Sequence, residues 1–152
     1  MLLALVRYGL GGRVGDGRQF MSWVHYEDVI AAVAWLIERD DMSGVVNVAA
    51  PHPLPNEKFM RVLRNAYGRS FGLPSANWMI EVGTFLLRTE SELILKSRRV
   101  VPGRLLDKGF EFQYPDWRSA AADLCQQYRA RRSSFALDPS LERMHGKETG
   151  VR

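Results

Sequence analysis

At 152 residues, 46% hydrophobic and 25% charged, the chain has the make-up of one globular domain or a large part of one. Its charge of +4 and isoelectric point near 9.5 are mildly basic, but Arg and Lys are dispersed and the densest run (Arg129, Arg131, Arg132) lies near the C-terminus; that spread argues for a solvated surface over a nucleic-acid footprint. A single cysteine, Cys125, excludes an internal disulfide framework and a Cys-based zinc site, and no apolar run approaches the ~20 residues of a membrane span.

Residues 1–8 are helix-compatible and read as the end of a helix. The run Met1–Val6 is too short for a signal peptide, and one lone thiol suits a reducing compartment, so a cytoplasmic protein is expected. Gly9, Gly11 and Gly12, then Gly15 and Gly17, make the next stretch a loop. A dinucleotide fingerprint needs a strand before its glycines and a helix after them. Here a helix precedes and a strand follows, so a cofactor-phosphate loop is not expected.

From Gln19 to His25 the side chains alternate, with Phe20, Ser22 and Val24 on one face and Gln19, Met21, Trp23 and His25 on the other. Asp28 is placed as a cap or first-turn acid. Val29, Ile30, Val33, Leu36 and Ile37 then repeat at helical spacing and predict a core-facing helix over 29–39, closed by Asp40–Gly44. Val45–Ala50 is almost continuously apolar, the pattern of a buried parallel strand. Pro51–Pro55 is a rigid loop, and Asn56 is expected to cap a helix lined by Phe59, Val62, Leu63, Ala66 and Tyr67 that ends at Gly68. Strand, helix, strand and helix with short links predict a parallel α/β layer.

After Gly72-Leu73-Pro74 the texture changes, dividing the chain into 1–72, 73–132 and a polar tail, 133–152. Helical spacing recurs at Trp78, Met79, Val82, Phe85 and Leu86 and over Ser91–Lys96. Leu105–Lys108 is a helical turn ended by Gly109, Phe110–Tyr114 alternates like a half-exposed strand, and Pro115-Asp116 opens a last amphipathic helix through Trp117, Ala121, Cys125 and Tyr128.

Chemistry-bearing residues are sparse. A metal site would need His25, His52 and His145 to converge from three segments, and none is expected. The acidic pairs Glu27/Asp28 and Asp40/Asp41 sit at helix ends, where capping explains them. His25 lies at a strand end beside a helix start, where ligand crevices form in α/β sheets; a structural histidine bonded to backbone is the plainer reading. Asn47 is the one polar member of its strand and is open to the same two readings. No complete catalytic set is present.

Four features carry a family resemblance: Gly11-Gly12 with Gly17-Arg18-Gln19 and Ser22-Trp23-Val24-His25; Val46-Asn47-Val48 with Ala50-Pro51; Val101-Pro102 with Arg104-Leu105; and Gly109-Phe110 through Tyr114-Pro115. Over residues 1–130 the chain resembles the C-terminal half of extended, epimerase-like short-chain dehydrogenase/reductases. More narrowly, it resembles the atypical epimerase-family branch that ends in a DUF1731-type domain. The resemblance implies an α/β fold class: the C-terminal portion of a Rossmann-like NAD(P)-binding fold, with 73–132 a small, mostly helical α+β subdomain against which substrate is held. NAD or NADP would serve the parent protein. The family's glycine fingerprint and Tyr/Lys pair lie in its N-terminal half, and here no G-x-x-G-x-x-G follows a first strand and no Y-x-x-x-K occurs.

The resemblance places a small-molecule substrate wall at Arg18, Gln19, Met21, Trp23, His25 and Asn47. Sugar-nucleotide epimerases resemble R-D-Y-I-H-V-x-D here, which puts Met21 where their arginine grips a diphosphate. Methionine cannot form charge-assisted forked bonds, so a smaller or more apolar substrate is expected, with Arg18, Arg98 and Arg99 as other sources of charge. The expected function is the substrate-side portion of an NAD(P)-dependent epimerase or oxidoreductase, inert and without tightly held cofactor by itself. The alternative is a non-enzymatic regulatory or assembly module. Open sheet edges predict self-association, through segments near residues 1–25.

Overall fold

Helices dominate the computed structural model, which describes residues 2–73 and 97–137. In chain order these are α1 (Leu2–Arg7), β1 (Phe20–Met21), α2 (Tyr26–Ile37), β2 (Leu54–Pro55), α3 (Asn56–Tyr67), α4 (Gly103–Asp107) and α5 (Trp117–Leu137). The helical expectations over 78–86 and 91–96 lie outside the described residues.

The core forms where α3 packs on α5, with α1 against α3. Phe59, Met60 and Leu63 on one turn-spaced face of α3 meet Trp117, Ala120, Ala121 and Cys125 of α5, and Trp23 and Val6 close the cluster. The Phe59 and Trp117 rings stack at 3.9 Å, and the Trp117 indole N–H donates to the Phe59 carbonyl at 2.9 Å, so the largest buried ring also has its polar atom satisfied. Gly68 ends α3 in the left-handed conformation, φ 79°, which a side chain would strain. Asp116 caps α5 by accepting the Arg118 and Ser119 N–H groups, bonds that also hold its carboxyl below the usual range. α5 runs on to Leu137, into the stretch read as polar tail. Burial pushes the Cys125 thiol pKa up, with Arg129 opposing, as suits an unreactive core thiol.

The strand expectations change most. The parallel layer does not form among the described residues; the sheet is a two-residue antiparallel ladder, Phe20 opposite Pro55 and Met21 opposite Leu54, which pairs the expected strand with the end of the stretch expected as loop. Val45–Ala50 runs without a ladder partner among the described residues, its one backbone bond to that region being Ala50 N–H to the Trp23 carbonyl at 2.7 Å. Val46 and Val48 pack into a second cluster with Ala32, Leu105 and Phe110, while Val45 is 85% exposed. The period of two is therefore kept, but a strand needs a neighbour to become a sheet. Phe110–Tyr114 likewise forms no ladder among the described residues and bends at Gln113.

α2 is rotated from its expected setting. Ala32, Trp35 and Leu36 face the second cluster, whereas Ile30 is 65% and Ile37 78% exposed. Tyr26, Ile30, Val33 and Ile37 follow at i, i+4, i+7 and i+11, which makes one continuous exposed apolar stripe.

Asn56, expected as a cap, acts at long range instead, and Asp28, expected as a cap or first-turn acid, is in the first turn of α2 but bonds at long range. Pro55 holds the N-cap position of α3, and the buried Asn56 accepts the Val14 N–H at 2.8 Å. His25 caps α2, which frees Asp28, 0% exposed, to accept the Gln113 N–H at 2.7 Å and the Tyr114 N–H at 3.1 Å. That pair of bonds accounts for the unpaired backbone of 113–114.

Candidate functional site

The site region is the β1 strip and the turn before it. Gly9, Gly12 and Gly15 stand at three-residue spacing, yet their loop is not built for phosphate. Gly12 N–H goes to the Leu73 carbonyl, Val14 N–H to Asn56 and Gly17 N–H to the Val14 carbonyl, so these amides are already paired within the chain. Arg64 donates to the Gly11 carbonyl at 2.7 Å, and a Cβ on Gly11 would meet Val6 at 2.6 Å. Close packing of the loop on α1 explains Gly11, and left-handed backbone, φ 78°, 58° and 75°, explains Gly9, Gly15 and Gly17. A dinucleotide's phosphates do not fit this loop, because the amides that would receive them point elsewhere.

The expected wall residues divide by exposure. Gln19, Trp23 and His25 share the buried face of the strip, as their alternation requires. Gln19 donates its side-chain amide to the Val14 carbonyl at 2.9 Å, and its Oε1 is buried without a protein partner. Trp23 donates to the His52 carbonyl at 3.1 Å and lies 5.0 Å from the Trp117 ring. Met21 is half-buried against the core, while Arg18 and Asn47 are exposed.

His25 is 1% exposed and both ring nitrogens are engaged. Nδ1 accepts the Glu27 N–H at 3.4 Å, and Nε2 lies 3.1 Å from Asp123 Oδ2. An accepting Nδ1 places the proton on Nε2, which then donates to the carboxylate. Gln127 donates to the same Asp123 oxygen at 2.7 Å and to the Tyr26 hydroxyl at 2.8 Å. The Tyr114 ring covers His25 at 3.9 Å; lost hydration first, then the Asp123 and Glu27 carboxylates, raise its phenol pKa. This network fastens the start of α2 to α5. Asp123 and Gln127 were not singled out from sequence; their i, i+4 spacing on one face of α5 was the available signal.

The exposed flank of β1 carries a feature that sequence reasoning missed. Phe20 N–H donates to Ser97 Oγ at 3.0 Å and Arg98 N–H to the Phe20 carbonyl at 3.1 Å. Ser22 Oγ donates to the Arg98 carbonyl and accepts the Val100 N–H, both at 2.8 Å. Residues 97–100 thus lie along the edge of β1 away from β2. No spacing of residue types announces such an arm.

Among the described residues no group of three His, Cys, Asp or Glu side chains is placed to hold a metal, and no helix is long and apolar enough to cross a membrane. His52 points its Nδ1 at the Pro115 carbonyl, and His145 lies outside the described residues. Among the described residues, surface clefts away from β1 lie at Trp35, Arg39 and Asp41 and at Arg7, Tyr8 and Arg69.

Comparison with known proteins gives the fold a context. The family described as "Domain of unknown function (DUF1731)" matches residues 77–124. The epimerase family protein YfhF of Bacillus subtilis is 30% identical over 124 residues, covering 82% of this chain and 40% of that protein. The crystal structure of the human epimerase family protein SDR39U1 with NADPH superposes with a TM-score of 0.73 at 28% identity, over 82% of this chain and 42% of that one. The nucleoside-diphosphate sugar epimerase from Corynebacterium glutamicum gives 0.56 at 25% identity, over 87% and 26%. The chain spans about two fifths of the length of the curated relatives it matches, and the matched part is their C-terminal part.

Proposed function

We propose that this chain, which corresponds to the C-terminal part of epimerase family proteins, is the substrate-side portion of an NAD(P)-dependent epimerase-like oxidoreductase. The observation that carries the reading is the extent of the likeness to the NADPH-bound human protein, 82% of this chain against 42% of that one. The chain's own chemistry supports it: the glycine loop is closed to phosphate, His25 is held in a structural network, and the 152 residues contain no Y-x-x-x-K. Cofactor binding and proton transfer are assigned to the remainder of the family fold. NADP or NAD is the cofactor of that whole. Arg18 and Met21 on the strip, with Asn47 on the neighbouring extended segment, are the accessible substrate contacts of those placed on the wall. Gln19, Trp23 and His25 act behind it, by fixing its shape.

Titrated with NADPH, the purified chain is expected to give no saturable change in nicotinamide fluorescence up to millimolar concentration, and no oxidation of NADPH with sugar or carbonyl substrates. Saturable micromolar binding, or turnover by the chain alone, would overturn the assignment.

The same reading assigns the exposed stripe of α2 and the unpaired edge at Val45–Val48 to surfaces that the rest of the family fold covers. In isolation a second copy of the chain covers them, so the chain self-associates. Near residues 1–25, the segments expected to associate, α1 packs on α3 and β1 is bonded along both edges, while Leu2, Leu5 and Tyr8 stay exposed and available to the same contact.

A further inference from the structure

We propose that the cleft between the C-terminal ends of α1 and α3 binds an aromatic carboxylate, a small planar ring that bears one anionic group. The cleft lies away from the β1 strip and would hold such a ligand whether or not that strip is a substrate wall.

Local chain geometry builds the cleft. α1 ends at Arg7 and α3 at Tyr67, and a left-handed glycine follows each, Gly9 and Gly68. The amides beyond fold back onto the last turns. Gly9 and Leu10 donate to the Val6 and Leu5 carbonyls, Gly68 and Arg69 to those of Asn65 and Arg64. Phe71–Leu73 then returns along the glycine loop, with Leu73 N–H on the Gly9 carbonyl at 2.8 Å and Gly12 N–H on the Leu73 carbonyl at 3.1 Å. The two helix ends enclose about 380 Å³, the size of a small-molecule site. Backbone bonds hold both sides, so the cleft is formed before a ligand arrives.

Two cations and two rings surround this space. Arg7, Tyr8, Arg69 and Phe71 line it, and among the described residues no acidic side chain does. Tyr8 and Phe71 are each 69% exposed, two large rings left to water beside one cleft. The Arg7 guanidinium carbon lies 5.2 Å from the centre of the Tyr8 ring. The plainest role for arginines here is to complement helix C-termini. At α3 that role is filled by Arg129, which donates to the Ala66 and Tyr67 carbonyls. At α1 the Ala4, Leu5 and Val6 carbonyls are taken by backbone amides. Arg69 makes one side-chain bond among the described residues, to the Arg7 carbonyl at 3.5 Å. Both guanidiniums are therefore surplus to closing the helices.

The polarity of the cleft selects the ligand. Phosphate sites are built from helix N-termini and open backbone N–H groups. This cleft faces two helix C-termini, and the amides of Tyr8, Gly9, Gly68 and Arg69 are bonded within the chain. Donation falls chiefly to the arginines, whose planar fork matches the two coplanar oxygens of a carboxylate. An aromatic body then lies against Tyr8 and Phe71 and removes their exposed faces from water.

Benzoate titrated into the full chain at a fixed, low protein concentration, followed by amide chemical shifts, tests the site. Saturable shifts are expected at Tyr8, Gly9, Arg69 and Ser70, with the β1 strip unmoved. Affinity falls about tenfold in Arg69→Ala, as loss of a forked charge-assisted contact implies, and further when Arg7→Ala is added. Cyclohexanecarboxylate, which keeps the charge without the aromatic face, binds more weakly than benzoate, and Phe71→Ala removes that difference. Arg118→Ala, near the start of α5, changes nothing. Arg69, Phe71 and Arg118 are exposed, so amide shifts outside the cleft stay native in each variant. Wild-type affinity in Arg69→Ala, equal losses in Arg69→Ala and Arg118→Ala, or no saturable binding would overturn the proposal. So would inorganic phosphate moving the same amides as tightly as benzoate. Shifts that follow protein concentration in place of benzoate would put a second copy of the chain in the cleft and overturn it too.

Discussion

Asp28→Ala is expected to lower the stability of the chain by about 2–4 kcal/mol, an effect larger than any change on its surface. The carboxylate is 0% exposed and holds two backbone N–H groups, of Gln113 at 2.7 Å and Tyr114 at 3.1 Å. These are charge-assisted bonds from a first-turn acid, where the helix N-terminus adds to their strength. Removing the side chain leaves both donors without a protein partner. It also loosens the hydrogen-bonded link between the start of α2 and the segment that carries Tyr114 onto His25. Because 113–114 is only part-buried, water replaces some of the loss, which keeps the figure below that for a sealed site. Asp28→Asn retains one acceptor and loses the charge, so about half the cost is expected. Urea titrations of the three proteins at equal, low concentration decide the matter. An alanine variant within about 0.5 kcal/mol of the parent would show that the carboxylate does not hold the two segments together.

Trp117→Ala is the second large effect, expected at about 3–5 kcal/mol. The ring stacks on Phe59 at 3.9 Å, lies 5.0 Å from Trp23 and donates to the Phe59 carbonyl at 2.9 Å. It therefore joins α3, α5 and the β1 strip at one point. Alanine would leave a cavity that three rigid elements cannot close, together with the lost apolar burial. Trp117→Phe separates the contributions: the stack survives, the hydrogen bond does not, and a loss of about 1–2 kcal/mol is expected from the bond and the smaller ring. Chemical denaturation followed by circular dichroism measures both. A phenylalanine variant as damaged as the alanine one would place the energy in the hydrogen bond instead of the packing.

What could be read from the sequence follows from the range of the forces involved. α3 and α5 were legible because their apolar spacing and stop signals are local: Gly68 closes one and Asp116 opens the other. Cys125 reads as core for the same reason. Asp28 and Asn56 mislead because a polar residue at a helix start looks alike whether it bonds its own helix or a segment 85 or 42 residues away. Val45–Ala50 has the composition of a buried strand, but composition specifies a face to bury and leaves the ladder partner to another part of the fold. α2 is apolar on two sides, so its periodicity could not tell the face that meets Leu105 and Phe110 from the stripe at Ile30 and Ile37. The strip's alternation was legible, and with it the burial of Gln19, Trp23 and His25; their bonds were not. Nothing in Ser97-Arg98-Arg99-Val100 announces an arm, because its order comes from Phe20 and Ser22, more than seventy residues earlier.

We propose that the exposed apolar faces of this chain, one part of an epimerase-type α/β fold, are made for the remainder of that fold. Sedimentation velocity over a wide concentration range tests it most directly, on the parent chain and on the double substitution Ile30→Glu, Val33→Glu, whose sites are exposed. The parent is expected to associate reversibly above its 17.3 kDa monomer as concentration rises. The double variant should remain monomeric with an unchanged circular dichroism spectrum. A parent chain that stays monomeric throughout, or a double variant that associates as strongly as the parent, would contradict the claim.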